Sequence, residues 1–237
     1  MFIKSMFILL AFATMPTILE TPIVAEVVEI CTVFDDKNLS NPLAQLTIGS
    51  RVEILQDYSA QVYKIFEPFT QVAGWVEGVH LLFPPESRTD NSILQADELT
   101  RFANSQGYTS KTEYLLITDI GRQKIHVFRQ LEHDWVHLQS FDCSTGLNTS
   151  PTTRGIFTIT SRGPWFYSER LSSGAKFWMR FNEQYLIHSI PMDRHMNIIA
   201  GEDVVGEKRS NGCIRLMPQD AKWIYENVPD GTTIVII

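Results

Sequence analysis

The sequence predicts a mainly β protein in which a small N-terminal β-barrel is followed by a β-sandwich with one late α-helix. Short runs rich in β-branched and aromatic residues recur along the chain, and Gly, Pro, Asn and Asp turns separate them. Beyond residue 110, only one segment has clear helical features. The length of 237 residues is enough for two modest domains.

Residues 1–25 have the features of a secretory signal peptide. Lys4 precedes an apolar run at residues 6–13, and Val24 and Ala25 are small enough for a cleavage site. The apolar run is too short to cross a bilayer comfortably. We therefore expect an exported protein, in the periplasm, in the cell wall or outside the cell. An uncleaved signal segment is the alternative, and it is the only membrane attachment that we expect.

Composition narrows the classes of partner. The formal net charge of −7 makes nucleic acid a poor partner. Three cysteines in an exported chain cannot all pair, so one is a candidate reactive thiol. Cys213 fits that role, because Cys31 and Cys143 lie in apolar, strand-like runs. We expect those two to be buried free thiols rather than a disulfide.

The first domain is predicted at residues 26–83, where β-rich runs alternate with turn residues. Five strands are expected, at residues 27–34, 46–49, 51–56, 61–66 and 74–82. The prolines at 84 and 85 end this domain and begin a linker at residues 84–110. Within the linker, residues 93–106 have an imperfect helical spacing, and Gly107 is placed as a C-cap.

The second domain is predicted at residues 111–237 and is again mostly strand. Strands are expected at residues 114–118, 124–128, 135–141, 155–160, 185–188 and 232–237. Residues 218–227 predict the late helix, because Pro218 suits its first turn and Asp220 suits the positive end of the helix dipole. His126, His133 and His137, on or beside strands, are expected at the surface.

The segment at residues 210–216, SNGCIRL, is the strongest candidate for a site of chemistry. A thiol with an ordinary pKa of about 8.5 is mostly protonated at neutral pH, so a nucleophilic Cys213 needs a base or a positive field. His188 is the predicted base, because it ends a strand that would hold its ring. His195 is the alternative, but it follows Asp193 and Arg194 in a segment that is typical of an exposed loop.

Neighbours of Cys213 suggest further roles. Gly212 lets backbone amides, including that of Asn211, approach an oxygen that becomes negative. Arg215 would project to the same side as Cys213 and either hold a substrate carboxylate or pair with a nearby acid. Ser210 is expected to hydrogen-bond within the loop and is placed with the substrate-binding residues. Aromatic residues crowd 163–185, where a hairpin over a cleft would bring Trp165 and Tyr167 to the substrate; a plain hydrophobic core is the alternative.

From about residue 114 to the end, the chain resembles the L,D-transpeptidase (YkuD-like) catalytic domain. The family hallmark is a histidine followed by Ser/Thr-His-Gly-Cys, and here His188 precedes Ser-Asn-Gly-Cys at residues 210–213. The segments at 144–146, 151–160 and 161–167 are similar to the same family. Asn211 departs from the pattern, since the family most often has histidine there.

The resemblance implies a mechanism. Cys213 would attack a peptidoglycan stem peptide, release terminal D-alanine as a thioester forms, and pass the acyl group to a neighbouring stem in a 3→3 cross-link. The carbonyl of Ser189 would support the imidazole of His188. Carbapenem β-lactams are the implied acylating inhibitors. No cofactor is implied, and no cysteine or histidine spacing predicts a metal site. An L,D-carboxypeptidase and a non-catalytic wall-binding protein are the rival hypotheses.

The N-terminal domain resembles a bacterial SH3-like domain. The resemblance rests on the segments IGSRVEIL at residues 48–55 and GWVE at residues 74–77. In that family the second pattern brings a tryptophan to a surface groove, which implies that Trp75 contacts wall peptides or glycans. Closure of the barrel core by Trp75 is the alternative.

Overall fold

The structure is a computed structural model that describes residues 22–237. Most of the expected signal peptide therefore lies outside the described residues, and the signal peptide stays a prediction. The expected boundary after Ala25 falls inside a strand, Ile23–Val27. Ala25 and Val27 are both buried, so the inward-facing alternation of the first domain already begins before residue 26.

The N-terminal domain is one antiparallel sheet of seven short strands. They are β1 Ile23–Val27, β2 Cys31–Phe34, β3 Pro42–Leu46, β4 Arg51–Tyr58, β5 Val62–Glu67, β6 Val72–Glu77 and β7 Leu81–Leu82. Their order in the sheet is β3-β2-β6-β5-β4-β1-β7. The buried core includes Val27, Val33, Val52, Ile65 and Val76.

Three of the five predicted strands were wrong in detail. The expected strand at residues 74–82 is β6 followed by β7, because the 3-10 turn Gly78–His80 separates them. The expected strand at residues 27–34 is two strands, because the exposed residues 28–30 interrupt the pairing. The expected strand at 46–49 is the end of β3 followed by a turn in which Gly49 has a φ of +83°.

Trp75 is half-buried and lies outside the core cluster, to which its neighbour Val76 belongs. The SH3-like assignment stays a prediction.

The predicted linker helix is present as α1, Ala96–Ser105. It begins three residues later than predicted, at a capping box in which the backbone N–H of Gln95 donates to Glu98 at 2.7 Å. Gly107 follows the C-cap residue with a φ of +67°, as a glycine after a helix commonly does. Leu99 and Ala103 are buried against the second domain.

The second domain is a curled nine-stranded sheet, which confirms the mainly β fold. Its strands are β8 Tyr114–Asp119, β9 Lys124–Leu131, β10 Asp134–Ser144, β11 Gly155–Thr158, β12 Ser161–Ser168, β13 Ser173–Asn182, β14 Tyr185–Ser189, β15 Ile214–Leu216 and β16 Thr233–Ile236. Their order is β11-β16-β8-β9-β10-β15-β14-β13-β12. The pairs β14–β15 and β8–β16 are parallel.

The core of this domain lies between the two halves of the curled sheet. Val127 of β9 and Ile234 of β16 share one cluster with Met179 of β13 and Ile214 of β15. The late helix, α2 Pro218–Asn227, has the predicted bounds and contributes Ile224 to that cluster. Within residues 22–237, neither helix is long and apolar enough to cross a membrane.

Candidate active site

A cleft of about 320 Å³ opens where β14 and β15 run side by side. Alternate residues of the segment at 210–216, which includes β15, line this cleft: Asn211, Cys213 and Arg215. Leu186 and His188 of β14 also line it, at the same spacing of two. Because side chains alternate across a strand, this spacing places the predicted nucleophile and the predicted base on one face of adjacent strands.

Cys213 immediately precedes β15 and is half-buried. The backbone N–H of Leu186 donates to its Sγ at 3.4 Å. Burial raises the pKa of the Cys213 thiol, and this effect exceeds the opposing influence of the Leu186 N–H and of the nearby cations Arg215 and Arg180. The resting thiol is therefore held protonated.

The loop that carries Cys213 is fixed by hydrogen bonds that its backbone carbonyl groups accept. The Thr152 hydroxyl donates to the carbonyl of Gly212 at 2.9 Å, and the backbone N–H of Leu147 donates to that of Ser210 at 3.0 Å. The Ser210 hydroxyl donates to the carbonyl of Cys213. Among residues 22–237, the backbone N–H groups at 211–213 have no protein acceptor. These three amides are therefore free to donate to an incoming oxygen.

Gly212 is required by the shape of this loop. Its φ of +95° is a conformation that side chains disfavour, and an added Cβ would overlap the ring of Tyr185. Ser210 is fully buried. Its expected place within the loop is thus confirmed, but its placement as a substrate-binding side chain was wrong, because the hydroxyl faces the Cys213 carbonyl rather than the cleft.

His188 is held firmly by its surroundings. Its Nδ1 lies 2.5 Å from the carbonyl oxygen of Ser189, so Nδ1 carries the proton and donates, which leaves Nε2 free to act as a base. The edge of its ring meets Phe166, with 5.8 Å between ring centroids. The structure thus places Ser189 where the resemblance implied, at the far side of the imidazole from its basic nitrogen.

The resting site is neutral rather than an ion pair. Burial lowers the pKa of His188 to about 4, although the Ser189 carbonyl opposes this shift, and burial also raises the pKa of Cys213. No hydrogen bond joins Sγ to the imidazole among the described residues. Both groups lie in a site that disfavours charge, so the thiol and the imidazole are neutral before a substrate arrives.

Arg215 pairs with an acid, which was one of its two expected roles. Its Nη1 donates to Oε2 of Glu202 at 2.7 Å. Its Nε is buried and has no partner in the described part of the chain. Arg215 also lines the cleft, which places a positive charge close to Cys213.

The predicted hairpin over the cleft consists of β12 and β13. Phe166 and Leu171 line the cleft from it, whereas Trp165 and Tyr167 do not. Adjacent residues of a strand face opposite sides, and the register of β12 turns Phe166, rather than its two neighbours, toward His188. The placement of Trp165 and Tyr167 as substrate-binding residues stays a prediction. The ring of Tyr167 instead lies 5.0 Å from the Arg194 guanidinium.

A third wall comes from the N-terminal domain and was not predicted. Asp57, Ser59 and Ala60, at the turn between β4 and β5, line the same cleft. Both Ser59 and Ala60 have a positive φ, near +55°. Such a turn usually contains glycine or asparagine, so the sequence carries no signal that a tight turn stands here.

Residues 113–237 match the family model of the L,D-transpeptidase catalytic domain (YkuD), and this match spans more than half of the chain. The chain belongs to the L,D-transpeptidase family. A curated relative is "Putative L,D-transpeptidase YciB" of Bacillus subtilis (strain 168), which is 41% identical over 100 residues. These residues are 39% of this chain and 52% of YciB, so the match spans about half the length of that relative.

Solved structures also resemble this L,D-transpeptidase-family chain. A fused Zn-dependent amidase/peptidase/peptidoglycan-binding domain-containing protein from Clostridium acetobutylicum ATCC 824 is 29% identical over 63% of this chain and 67% of that chain, with a TM-score of 0.48. An L,D-transpeptidase from Stackebrandtia nassauensis is 20% identical over 55% of this chain and 58% of that chain, with a TM-score of 0.43.

The other candidate groups named from the sequence lie away from the cleft. His195 is exposed in a turn, where its backbone N–H donates to Asp193 at 2.8 Å. Cys143 and Cys31 are buried free thiols in separate cores, as predicted. Within residues 22–237, no group of His, Cys, Asp and Glu side chains is arranged to hold a metal ion.

His126 is buried, so its predicted place at the surface was wrong. It lies on β9, between two paired strands, and residues 89–94 of the linker cover its face of the sheet. Its Nδ1 lies 2.7 Å from the Ser140 hydroxyl. Burial lowers the pKa of His126 to about 3.

Two buried histidines predict a loss of stability in acid. The unfolded chain protonates His126 and His188 near pH 6.5, whereas the folded chain excludes both protons until about pH 3 and 4. The free energy of unfolding therefore falls as the pH drops through this window, by up to about 1.4 kcal/mol per pH unit for each histidine. We expect His126→Phe to remove the contribution of His126 to the pH dependence of the free energy of unfolding, measured by urea unfolding at several pH values. A variant with the slope of the unmodified protein would contradict this.

Proposed function

We propose that this chain is an exported peptidoglycan L,D-transpeptidase that works through a thioester on Cys213. One observation carries the proposal: Cys213 and His188 line one cleft, and the backbone N–H groups of residues 211–213 have no acceptor among the described residues, in a chain that belongs to this family. A nucleophile, a base and donors for an oxyanion are the parts that acyl transfer needs. Export follows from the expected signal peptide.

Acylation begins with the neutral pair. Cys213 Sγ attacks the carbonyl that joins the third stem residue to terminal D-alanine, while His188 Nε2 takes the thiol proton. The carbonyl oxygen becomes negative and accepts hydrogen bonds from the amides at 211–213. When the tetrahedral intermediate collapses, the C–N bond breaks, His188 returns the proton to the leaving amine, and D-alanine departs from a thioester.

Deacylation reverses these roles. The amine of a neighbouring stem attacks the thioester carbonyl, His188 takes a proton from that amine, and the C–S bond breaks as Cys213 regains a proton. The product is a 3→3 cross-link. The hairpin of β12 and β13, with Phe166 against the imidazole, shields the thioester from water, which favours transfer over hydrolysis.

Asn211 stands where the family most often has histidine. Its backbone amide is one of the three free donors, so the change leaves the proposed oxyanion site complete. Its side-chain oxygen lies 3.4 Å from the Ser150 hydroxyl, which anchors it to the neighbouring loop. A histidine at this position is therefore not needed for the steps proposed here.

Product analysis with a disaccharide-tetrapeptide tests this function. We expect release of D-alanine together with a 3→3 cross-linked dimer in mass spectrometry, and neither product from Cys213→Ala. Release of D-alanine with a free tripeptide and no dimer, even with excess acceptor, would instead identify an L,D-carboxypeptidase. Binding of wall fragments without release of D-alanine would identify a non-catalytic wall-binding protein.

A further inference from the structure

Asp57 is a buried acid of the N-terminal domain, and it lines the cleft that contains Cys213. Only 3% of its surface is exposed. Its two carboxylate oxygens have different partners: Oδ1 accepts from the Tyr185 hydroxyl, and Oδ2 accepts from the backbone N–H of Ala60 at 3.1 Å. The first bond joins residues 128 positions apart, and so links the N-terminal domain to β14 of the second domain.

Tyr185 transmits this link to the nucleophile. Its ring fills the space beside Gly212 so closely that an added Cβ there would overlap it. The next residue, Leu186, donates its backbone N–H to Cys213 Sγ at 3.4 Å. The residue that Asp57 holds therefore touches the Cys213 loop at its ring, and its chain neighbour touches the sulfur itself.

Tyr63, a tyrosine of the N-terminal domain, supports the other side of the same loop. Tyr63 lies opposite Asp57 in the pairing of β4 with β5, and its hydroxyl donates to the carbonyl of Thr149. The next residue, Ser150, donates from its hydroxyl to the carbonyl of Ser210 at 3.3 Å. Both links begin at the paired residues Asp57 and Tyr63 of the N-terminal domain, and both end within three residues of Cys213.

We infer that Asp57 is a positioning residue, which holds the Cys213 loop in its reactive geometry through Tyr185. The N-terminal domain then has a role in the reaction itself, in addition to any contact with the cell wall. The acylation arm of the inference rests on the proposed function, whereas the arm that concerns thiol reactivity does not.

The test compares Asp57→Ala, Tyr185→Phe and the double variant with the unmodified protein. Tyr185→Phe keeps the ring beside Gly212 and removes only the hydroxyl. We expect Tyr185→Phe to slow acylation of Cys213 by a carbapenem by about tenfold. Asp57→Ala leaves the Asp57 backbone carbonyl oxygen, which lies 3.2 Å from the same hydroxyl, so we expect it to slow acylation no more than Tyr185→Phe does. The double variant is expected to be no slower than Tyr185→Phe, because both changes act on the same link. Asp57→Asn keeps an acceptor for the tyrosine hydroxyl and is expected to restore most of the rate.

Alkylation by iodoacetamide gives a second readout that needs no transpeptidase activity. A loosened loop exposes a thiol whose pKa burial had raised, so we expect alkylation at Cys213, mapped by peptide mass spectrometry, to become severalfold faster in Asp57→Ala and Tyr185→Phe. Glu26→Gln, an exposed acid-to-amide change on β1, is the matched control and is expected to leave both rates unchanged.

The outcomes separate this inference from the proposed function. Failure of a carbapenem to acylate the unmodified protein would count against the proposed function, and the alkylation rates would still decide the role of Asp57. Folded Asp57→Ala and Tyr185→Phe variants with unchanged rates in both assays would overturn the inference. If Asp57→Ala fails to fold in thermal melting, Tyr185→Phe decides, because its ring keeps the packing.

Discussion

Replacing His188 with Ala is expected to slow acylation of Cys213 by about a hundredfold or more. The reason lies in the neutral resting site: burial raises the pKa of the thiol, so little thiolate is present before the substrate arrives. The proton must leave during the attack, and His188 Nε2 is the ring nitrogen free to take it. The rate of adduct formation with a carbapenem, followed by intact mass, measures the effect.

His188→Asn and His195→Ala complete this test. The asparagine side chain keeps a donor for the Ser189 carbonyl but has no basic nitrogen, so we expect it to be as slow as His188→Ala without the same cavity. His195 is exposed in a turn away from the cleft, and its removal is expected to leave the rate unchanged. Loss of acylation in His195→Ala alone would contradict the assignment of His188 as the base.

The pH profile of acylation carries a further signature of His188. Because burial lowers its pKa to about 4, the imidazole stays neutral and basic well below the ordinary range of a histidine. The acid limb of the rate is therefore expected near pH 4 rather than near 6.5. An acid limb near pH 6.5 would mean that the base is a solvated histidine.

Local patterns predicted much of this molecule. The bounds of α2 followed from a proline that suits the first helical turn and an acid that suits the positive dipole end. Cys213 and His188 could be found because each stands beside a short, recognisable segment of strand or turn. The parallel pairing of β14 with β15 then brings the two segments together, as a shared site requires.

What the sequence could not predict depends on register and on contacts between distant residues. Whether Trp165 or Phe166 faces the cleft is set by how β12 pairs with β13, and one residue of register reverses the answer. The bond between Asp57 and Tyr185 joins two domains, and neither residue carries a motif. The burial of His126 likewise depends on the linker that lies over its strand.

Cys213→Ala is expected to abolish covalent modification altogether. Cys213 lines the cleft, whereas Cys31 lies in the core of the N-terminal domain and Cys143 in the core of the second domain. Burial raises the pKa of both of those thiols, so neither supplies an accessible thiolate. No other cysteine can take over the reaction, because the chain has three.

Intact mass after incubation with a carbapenem, followed by peptide mapping, tests the central claim most directly. We expect one added carbapenem on the unmodified protein, located on the peptide that contains Cys213, and the same adduct on the matched control Cys31→Ala. Cys213→Ala is expected to keep its unmodified mass. An adduct that persists in Cys213→Ala, or a folded unmodified protein that gains no mass, would contradict the assignment of Cys213 as the nucleophile.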